Sequence, residues 1–159
     1  MSLPSRFARV LILCAAAALA AACASSPPPA PAIPAMPQYT SPITPDQVIG
    51  KWGLAAYHRP EDAGRTEAQA RQGCNQPYVI NRGPTVGFMM YLADQSQPSE
   101  VVSKQVAGGP IYIGLPEEAP GAESDREVLR FDGQVLILKW LDQEVAGRYG
   151  TMVYVRCKA

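Results

Sequence analysis

The chain has 159 residues, of which 18% are charged and 47% hydrophobic, and its formal net charge at pH 7 is zero. This length accommodates one domain together with additional segments. The chain has no basic stripe with interleaved aromatic residues, so its composition predicts no nucleic-acid binding, which depends on a positive surface.

The N-terminus, residues 1–22, predicts a signal peptide. Arg6 and Arg9 form a short basic start, and residues 10–22 form an apolar run that ends in small residues. A transmembrane helix needs roughly 20 apolar residues. The shorter run with these flanks is typical of a cleavable secretory signal. An uncleaved N-terminal helix is the alternative.

Cys23 follows this apolar run directly. Residues 19–23, Leu-Ala-Ala-Ala-Cys, resemble the lipobox of bacterial lipoproteins. In that family the signal peptide is cut before the cysteine, the thiol carries a diacylglycerol and the new amino group is acylated. The resemblance implies lipidation of Cys23 and membrane anchoring, since two or more acyl chains hold a protein stably on a bilayer. Ala24, which is not an aspartate, implies delivery to the outer membrane, at its periplasmic face or the cell surface.

Residues 23–45 combine this cysteine with a proline-rich linker. Eight prolines lie between Pro27 and Pro45. Each removes a backbone donor and favours extended geometry, so we expect a semi-rigid spacer that holds the domain off the membrane. A proline-rich ligand for a partner protein is the alternative. The folded domain is predicted at residues 46–159.

The folded block predicts short strands that form an antiparallel sheet. Asp132-Gly133 lies between two apolar runs and is a strong hairpin signal, because both turn positions favour positive φ. About eight strands separated by turn signals favour a small up-and-down barrel. An open antiparallel sheet with a helix on one face is the alternative. The predicted strands are residues 48–57, 77–82, 86–92, 99–106, 110–114, 126–131, 134–142 and 150–157.

Two other segments interrupt the strands. Residues 66–73 predict a short superficial helix after the first strand, with a capping box of Thr66 and Gln69 and a terminal glycine. Residues 116–125 combine acidic residues with proline and glycine, and predict a mobile acidic loop.

Cys74 and Cys157 are the two cysteines of the folded block. An even count in an oxidising compartment favours a disulfide between them. Two buried free thiols are the alternative. Two cysteines and the single histidine of the chain cannot supply the four ligands of a structural zinc site, so we expect no metal and no cofactor.

The triplet Gly50-Lys51-Trp52 on the first predicted strand resembles the Gly-x-Trp motif that opens lipocalin-type barrels. In that family the tryptophan closes the barrel floor and an arginine from the end of the last strand stacks on it. The resemblance implies this role for Trp52 and Arg156. The small periplasmic barrel of bacterial metalloprotease inhibitors also opens with Gly-x-Trp, which implies protease inhibition as an alternative function. Trp52 as an ordinary core aromatic is the remaining interpretation.

Met89 and Met90 are candidates for a ligand-binding wall. Adjacent residues on a strand face opposite sides, so both methionines contact apolar surroundings only if both faces are covered or one side lines a cavity. Methionine-rich walls suit irregular apolar ligands. Ordinary core packing is the alternative. Arg82, beside the turn that precedes them, is included as a candidate binding residue.

No combination of residues predicts catalysis. His58 has acidic neighbours at residues 61 and 62, but a lone histidine after a strand is typical of a solvated loop. The chain has neither a nucleophile elbow nor a phosphate-binding loop. The sequence therefore predicts no catalytic residue and a non-catalytic envelope domain that binds a small apolar ligand or a protein partner.

Overall fold

The computed structural model describes residues 39–158, which form a closed barrel of eight antiparallel strands. Neighbouring strands in the chain pair with each other, and the last strand pairs with the first over six residue pairs to close the ring. This confirms the predicted all-β barrel and excludes the open sheet. The strands are β1 Gly50–Tyr57, β2 Tyr78–Arg82, β3 Phe88–Met90, β4 Ser99–Lys104, β5 Tyr112–Gly114, β6 Arg126–Phe131, β7 Val135–Trp140 and β8 Thr151–Arg156.

Three α-helices accompany the strands: α1 Pro45–Val48, α2 Ala63–Gln72 and α3 Gln143–Tyr149. Helix α2 confirms the helix predicted after the first strand and is flanked by single 3₁₀ turns, Pro60–Asp62 and Gly73–Asn75. The capping box was wrong, because the Thr66 hydroxyl donates to the Asp62 carbonyl (2.8 Å) from within the helix. The predicted signal peptide, Cys23 and residues 24–38 of the linker lie outside the described residues.

Helix α3 was not predicted, although its sequence carries both end signals. The Asp142 carboxylate accepts hydrogen bonds from the backbone N–H groups of Glu144 (2.8 Å) and Val145 (3.0 Å). Such N-terminal capping satisfies donors that have no partner within the helix. Gly150, with φ of 70°, ends the helix in a conformation that glycine adopts without strain.

The barrel interior is filled with side chains over most of its length. Alternation along β7 directs Leu136 and Leu138 inward, where both are fully buried. The other fully buried interior residues are Val48, Trp52, Ile80, Phe88, Met90, Val101 and Ile113. The part of the barrel that contains Trp52 is therefore a packed core.

Helix α2 covers part of the outer surface. Ala70 packs with Val135, Ile137, Val153 and Val155, which project outward from β7 and β8. Strand β1 approaches the helix so closely at Gly53 that a Cβ there would lie 1.9 Å from the Ala70 carbonyl oxygen. A side chain at residue 53 would force the helix away from the sheet.

The disulfide between Cys74 and Cys157 is present, which confirms the predicted pairing. Cys74 lies in the 3₁₀ turn that follows α2, and Cys157 directly follows β8. The bond therefore fastens the helical segment to the last strand.

Residues 39–48 close one end of the barrel. Thr40 pairs with Gln105 as an isolated bridge, and Ile43 is buried. The buried Ser103 hydroxyl donates to the Ile43 carbonyl and accepts from the Ile43 N–H, both at 2.9 Å. Thr40 thus contacts the barrel six positions before residue 46, where the folded domain was predicted to start.

A buried ion pair holds the acidic loop of residues 116–125 against the barrel. Lys104 Nζ lies 2.6 Å from Asp125 Oδ1, and both side chains are fully buried. The same ammonium donates to the carbonyls of Leu115 (3.1 Å) and Glu118 (3.2 Å). The prediction of a mobile loop did not include this ion pair.

Within residues 39–158, no helix combines the length and the apolar character needed to span a bilayer.

Candidate functional site

Trp52 and Arg156 meet at the closed end of the barrel. The guanidinium carbon of Arg156 lies 4.2 Å from the centre of the Trp52 ring, in cation–π geometry. The indole N–H donates to the Val48 carbonyl at 2.8 Å. The guanidinium also donates to backbone carbonyls at Gln47, Ile49 (3.1 Å) and Gly133 (2.7 Å). Through these contacts Arg156 links α1 and the β6–β7 turn to β8. Its role is therefore structural.

The other candidate residues do not form a common site. Met90 is fully buried in the packed interior, whereas Met89, on the opposite face of β3, is half-buried. Arg82 is exposed and forms an ion pair with Asp46. None of these three side chains lines the cavity described next.

A cavity of about 280 Å³ lies at the end of the barrel opposite Trp52. The register of β1 and β8 fixes this position, because Trp52 pairs with Arg156 at one end and Ala56 pairs with Met152 near the other. The walls come from interior positions of four strands, and the rim from the β3–β4 loop and the end of α3. The wall residues are Leu54, Tyr78, Trp140, Met152 and Tyr154, and the rim residues are Tyr91, Leu92, Ala93, Asp94, Gln95 and Tyr149.

The rim is held by contacts between Asp94 and α3. Both guanidinium Nη atoms of Arg148 donate to the Asp94 carboxylate, at 2.9 and 2.7 Å, and the Tyr149 hydroxyl donates to it at 2.6 Å. The hydrogen bonds from Arg148, and then that from Tyr149, lower the pKa of Asp94 below its ordinary value. Asp94 therefore stays ionised and its charge is balanced by Arg148.

Two wall tyrosines, Tyr78 and Tyr154, pack together with Tyr91 of the rim. The Tyr78 ring meets the rings of Tyr154 and Tyr91 edge to face, with centroid distances of 5.3 and 6.0 Å. The Tyr91 N–H donates to the Tyr78 hydroxyl oxygen at 2.9 Å. Burial raises the pKa of both Tyr78 and Tyr154, so both phenols are neutral at physiological pH. The wall offers aromatic surface without charge.

Arg126 lies behind the cavity and is fully buried. Its guanidinium carbon is 5.0 Å from the centre of the Trp140 ring, and its Nη1 donates to the Tyr91 carbonyl at 3.4 Å. Within residues 39–158, Arg126 Nε, Arg126 Nη2 and Trp140 Nε1 have no hydrogen-bond partner. No carboxylate of the described part of the chain lies within 4 Å of this guanidinium.

The residues that line this cavity were not predicted from the sequence. Alternation along residues 136–140 places Trp140 on the same face as Leu136 and Leu138, and this pattern was available from the sequence. Arg126 had no such signal, because a charged residue at the start of a strand is ordinarily exposed.

The site presents apolar and aromatic surface with a few N–H donors, an arrangement suited to binding. His58 is exposed in the bend after β1 and does not line this cavity. Residues 39–158 contain no cluster of three or more His, Cys, Asp or Glu side chains placed to hold a metal ion. In comparisons with known proteins, this chain matches no protein-family model, no curated protein and no solved structure.

Proposed function

We propose that this protein is a lipid-anchored envelope protein whose barrel is a non-catalytic binding domain for a small, mainly apolar ligand. The observation that carries this proposal is the cavity at the open end, which interior residues of four strands line. Its volume of about 280 Å³ is near the lower limit for small-molecule sites. The ligand is therefore small, with a body of one or two rings or a short chain.

The packed interior supports binding at the mouth rather than deep in the barrel. Fully buried Phe88, Met90, Leu136 and Leu138 occupy the space below the cavity. The ligand would contact Trp140, Tyr154 and the rim. The predicted anchor at Cys23 and the proline-rich spacer support a location at the outer membrane, with the domain held off the bilayer.

The test is native mass spectrometry. The protein is expressed from the full-length sequence, exported and processed by the cell, and purified gently. We expect a stoichiometric extra mass that disappears in organic solvent. Ala93→Trp narrows the cavity from its rim and should remove the extra mass. Ala107→Trp places the same side chain in an exposed turn outside the cavity and should retain it.

A bare protein mass, together with no binding of the neutral aromatic probe 2-naphthamide at millimolar concentration, would overturn the proposal. An extra mass that persists in Ala93→Trp would also contradict it, because the ligand would then lie elsewhere.

A further inference from the structure

Three buried N–H groups without partners are concentrated at one place in the barrel. They are Arg126 Nε and Nη2 and Trp140 Nε1, and their residues are 0% and 6% exposed. Buried donors in folded proteins nearly always have an acceptor. All three are donors. The nearby Tyr154 hydroxyl, whose pKa burial raises and a hydrogen bond from Arg126 lowers, is a neutral phenol and cannot satisfy all three, so an acceptor from outside residues 39–158 completes the set.

The charge balance gives the sign of that acceptor. A guanidinium remains protonated in proteins, and a buried charge is normally paired. The other fully buried cation of the described chain, Lys104, is paired with Asp125. At the rim, the negative charge of Asp94 is already balanced by the positive charge of Arg148. Arg126 is left with an uncompensated positive charge, which favours an anion.

The position of Arg126 connects this charge with the cavity. Arg126 pairs with Trp140 across β6 and β7, so both side chains lie on the inner face of the barrel. The guanidinium contacts the Trp140 ring and the Tyr91 carbonyl, which both belong to cavity-lining residues. Its charge also opposes the rise that burial causes in the pKa of Tyr154, a third lining residue. The guanidinium therefore lies directly behind the lining residues Tyr91, Trp140 and Tyr154, and it does not itself line the cavity.

We infer that the ligand of this cavity is a small aromatic or apolar carboxylic acid, whose carboxylate is received by Arg126 and Trp140. Nε and Nη2 form one edge of the planar guanidinium, and this edge matches the two oxygens of a carboxylate. The indole N–H of Trp140 supplies a third donor, while Tyr78 and Tyr154 contact the apolar body. The inference rests on the proposed function and adds the class of ligand to it.

Two probes of the same shape separate charge from size. We would titrate 2-naphthoate and 2-naphthamide by calorimetry into the full-length chain held in zwitterionic nanodiscs, with empty nanodiscs as the blank. We expect the acid to bind the unsubstituted protein about tenfold tighter or more, since a charge-assisted bidentate contact is absent with the amide. Equal affinities would overturn the inference and leave the proposed function standing. Binding of neither probe would overturn both.

Substitutions assign the effect to the two donors. Arg126→Met should abolish the preference for the acid, because the affinity for the acid should fall to that for the amide. Trp140→Phe keeps a ring and removes the N–H, and should weaken only the acid, by a smaller factor. Arg65→Met removes an exposed arginine of α2 and should change neither affinity. A preference that survives Arg126→Met in a folded variant would overturn the inference. If that variant does not fold, Trp140→Phe decides, and an unchanged preference there has the same consequence.

Discussion

At the scale of single residues, Arg156 connects the last strand to other parts of the barrel. Its guanidinium covers Trp52 and donates to three carbonyls of two separate segments, the end of α1 and the β6–β7 turn. Hydrogen bonds from charged donors contribute more than neutral ones, and the ring contact adds to them. Arg156, which the resemblance to lipocalin-type barrels places on Trp52, therefore stabilises the fold.

Arg156→Met should lower the free energy of unfolding by about 2–4 kcal/mol, because several charge-assisted bonds and one cation–π contact are lost. Urea denaturation followed by tryptophan fluorescence measures this change. Arg156→Lys should recover little, since an ammonium cannot reach several carbonyls in the fork geometry of arginine. Arg65→Met is the matched control on an exposed helix face. A loss of stability in Arg156→Met no larger than in this control would contradict the structural role of Arg156.

The sequence was informative about residues whose local pattern decides their position. Trp52 and Arg156 stand at the start of the first strand and the end of the last, so pairing of these strands brings them together. Lys104 and Arg126 are different, because each is buried by a segment remote in the chain: the acidic loop covers Lys104, and Arg126 faces Tyr91 across the barrel. Local alternation contains no information about such coverage.

At the scale of elements, the rim depends on the contact between the β3–β4 loop and α3. Asp94 has a lowered pKa in the folded protein, so it contributes stability above the pKa of the unfolded chain, about 3.9. This contribution is lost as the pH falls through the lower, folded value. Acid should therefore loosen the loop from the helix.

An NMR titration of the Asp94 carboxyl carbon should give a pKa below that of an ordinary aspartate. Arg148→Gln removes the largest cause of the shift and should move the pKa back toward the ordinary value. Arg65→Gln, on α2, should leave it unchanged. An ordinary value for Asp94 in the unsubstituted protein would show that the ion pair does not persist in solution.

The disulfide links two elements across 83 residues of sequence. Such a closed loop removes conformational freedom from the unfolded chain, and the chain-entropy model gives about 4–5 kcal/mol for this length, as an upper value. The Cys74→Ala/Cys157→Ala double variant should unfold at correspondingly lower urea concentration. The unsubstituted protein in reducing agent should match it. An unchanged midpoint after reduction would mean that the two thiols are not joined in the purified protein.

The elements themselves were predictable where strands are short and turn signals strong. The hairpin predicted at Asp132-Gly133 is present, but only Gly133 has a positive φ (81°), and the Asp132 carboxylate instead accepts from the N–H groups of Gln134 and Val135. Each predicted strand is present, with ends that differ by a few residues. Helix α3 was missed because residues 134–142 were read as one strand, which hid the cap at Asp142. The cavity was missed for a related reason: it lies where strands end, and strand ends depend on tertiary packing.

At the scale of the whole molecule, we propose that Cys23 anchors the barrel to the membrane. Cys23→Ser should release the protein from membranes into the soluble fraction, because the serine cannot take the diacylglycerol and the remaining contacts with lipid are weak. Fractionation of cells followed by immunoblotting measures this. Cys14→Ser, within the predicted signal peptide, is the matched control and should remain with membranes. Unchanged membrane association of Cys23→Ser would refute the anchor.

Ring closure has a consequence for the order of assembly. Strand β1 takes one of its two partners from β8, the last strand of the described chain, so its second edge has no partner until residues 151–156 have been delivered. Contacts between distant residues form slowly, and unpaired strand edges attract other chains. The barrel can therefore not mature progressively from its N-terminal side. Until β8 is in place, the free edge of β1 can pair with other chains.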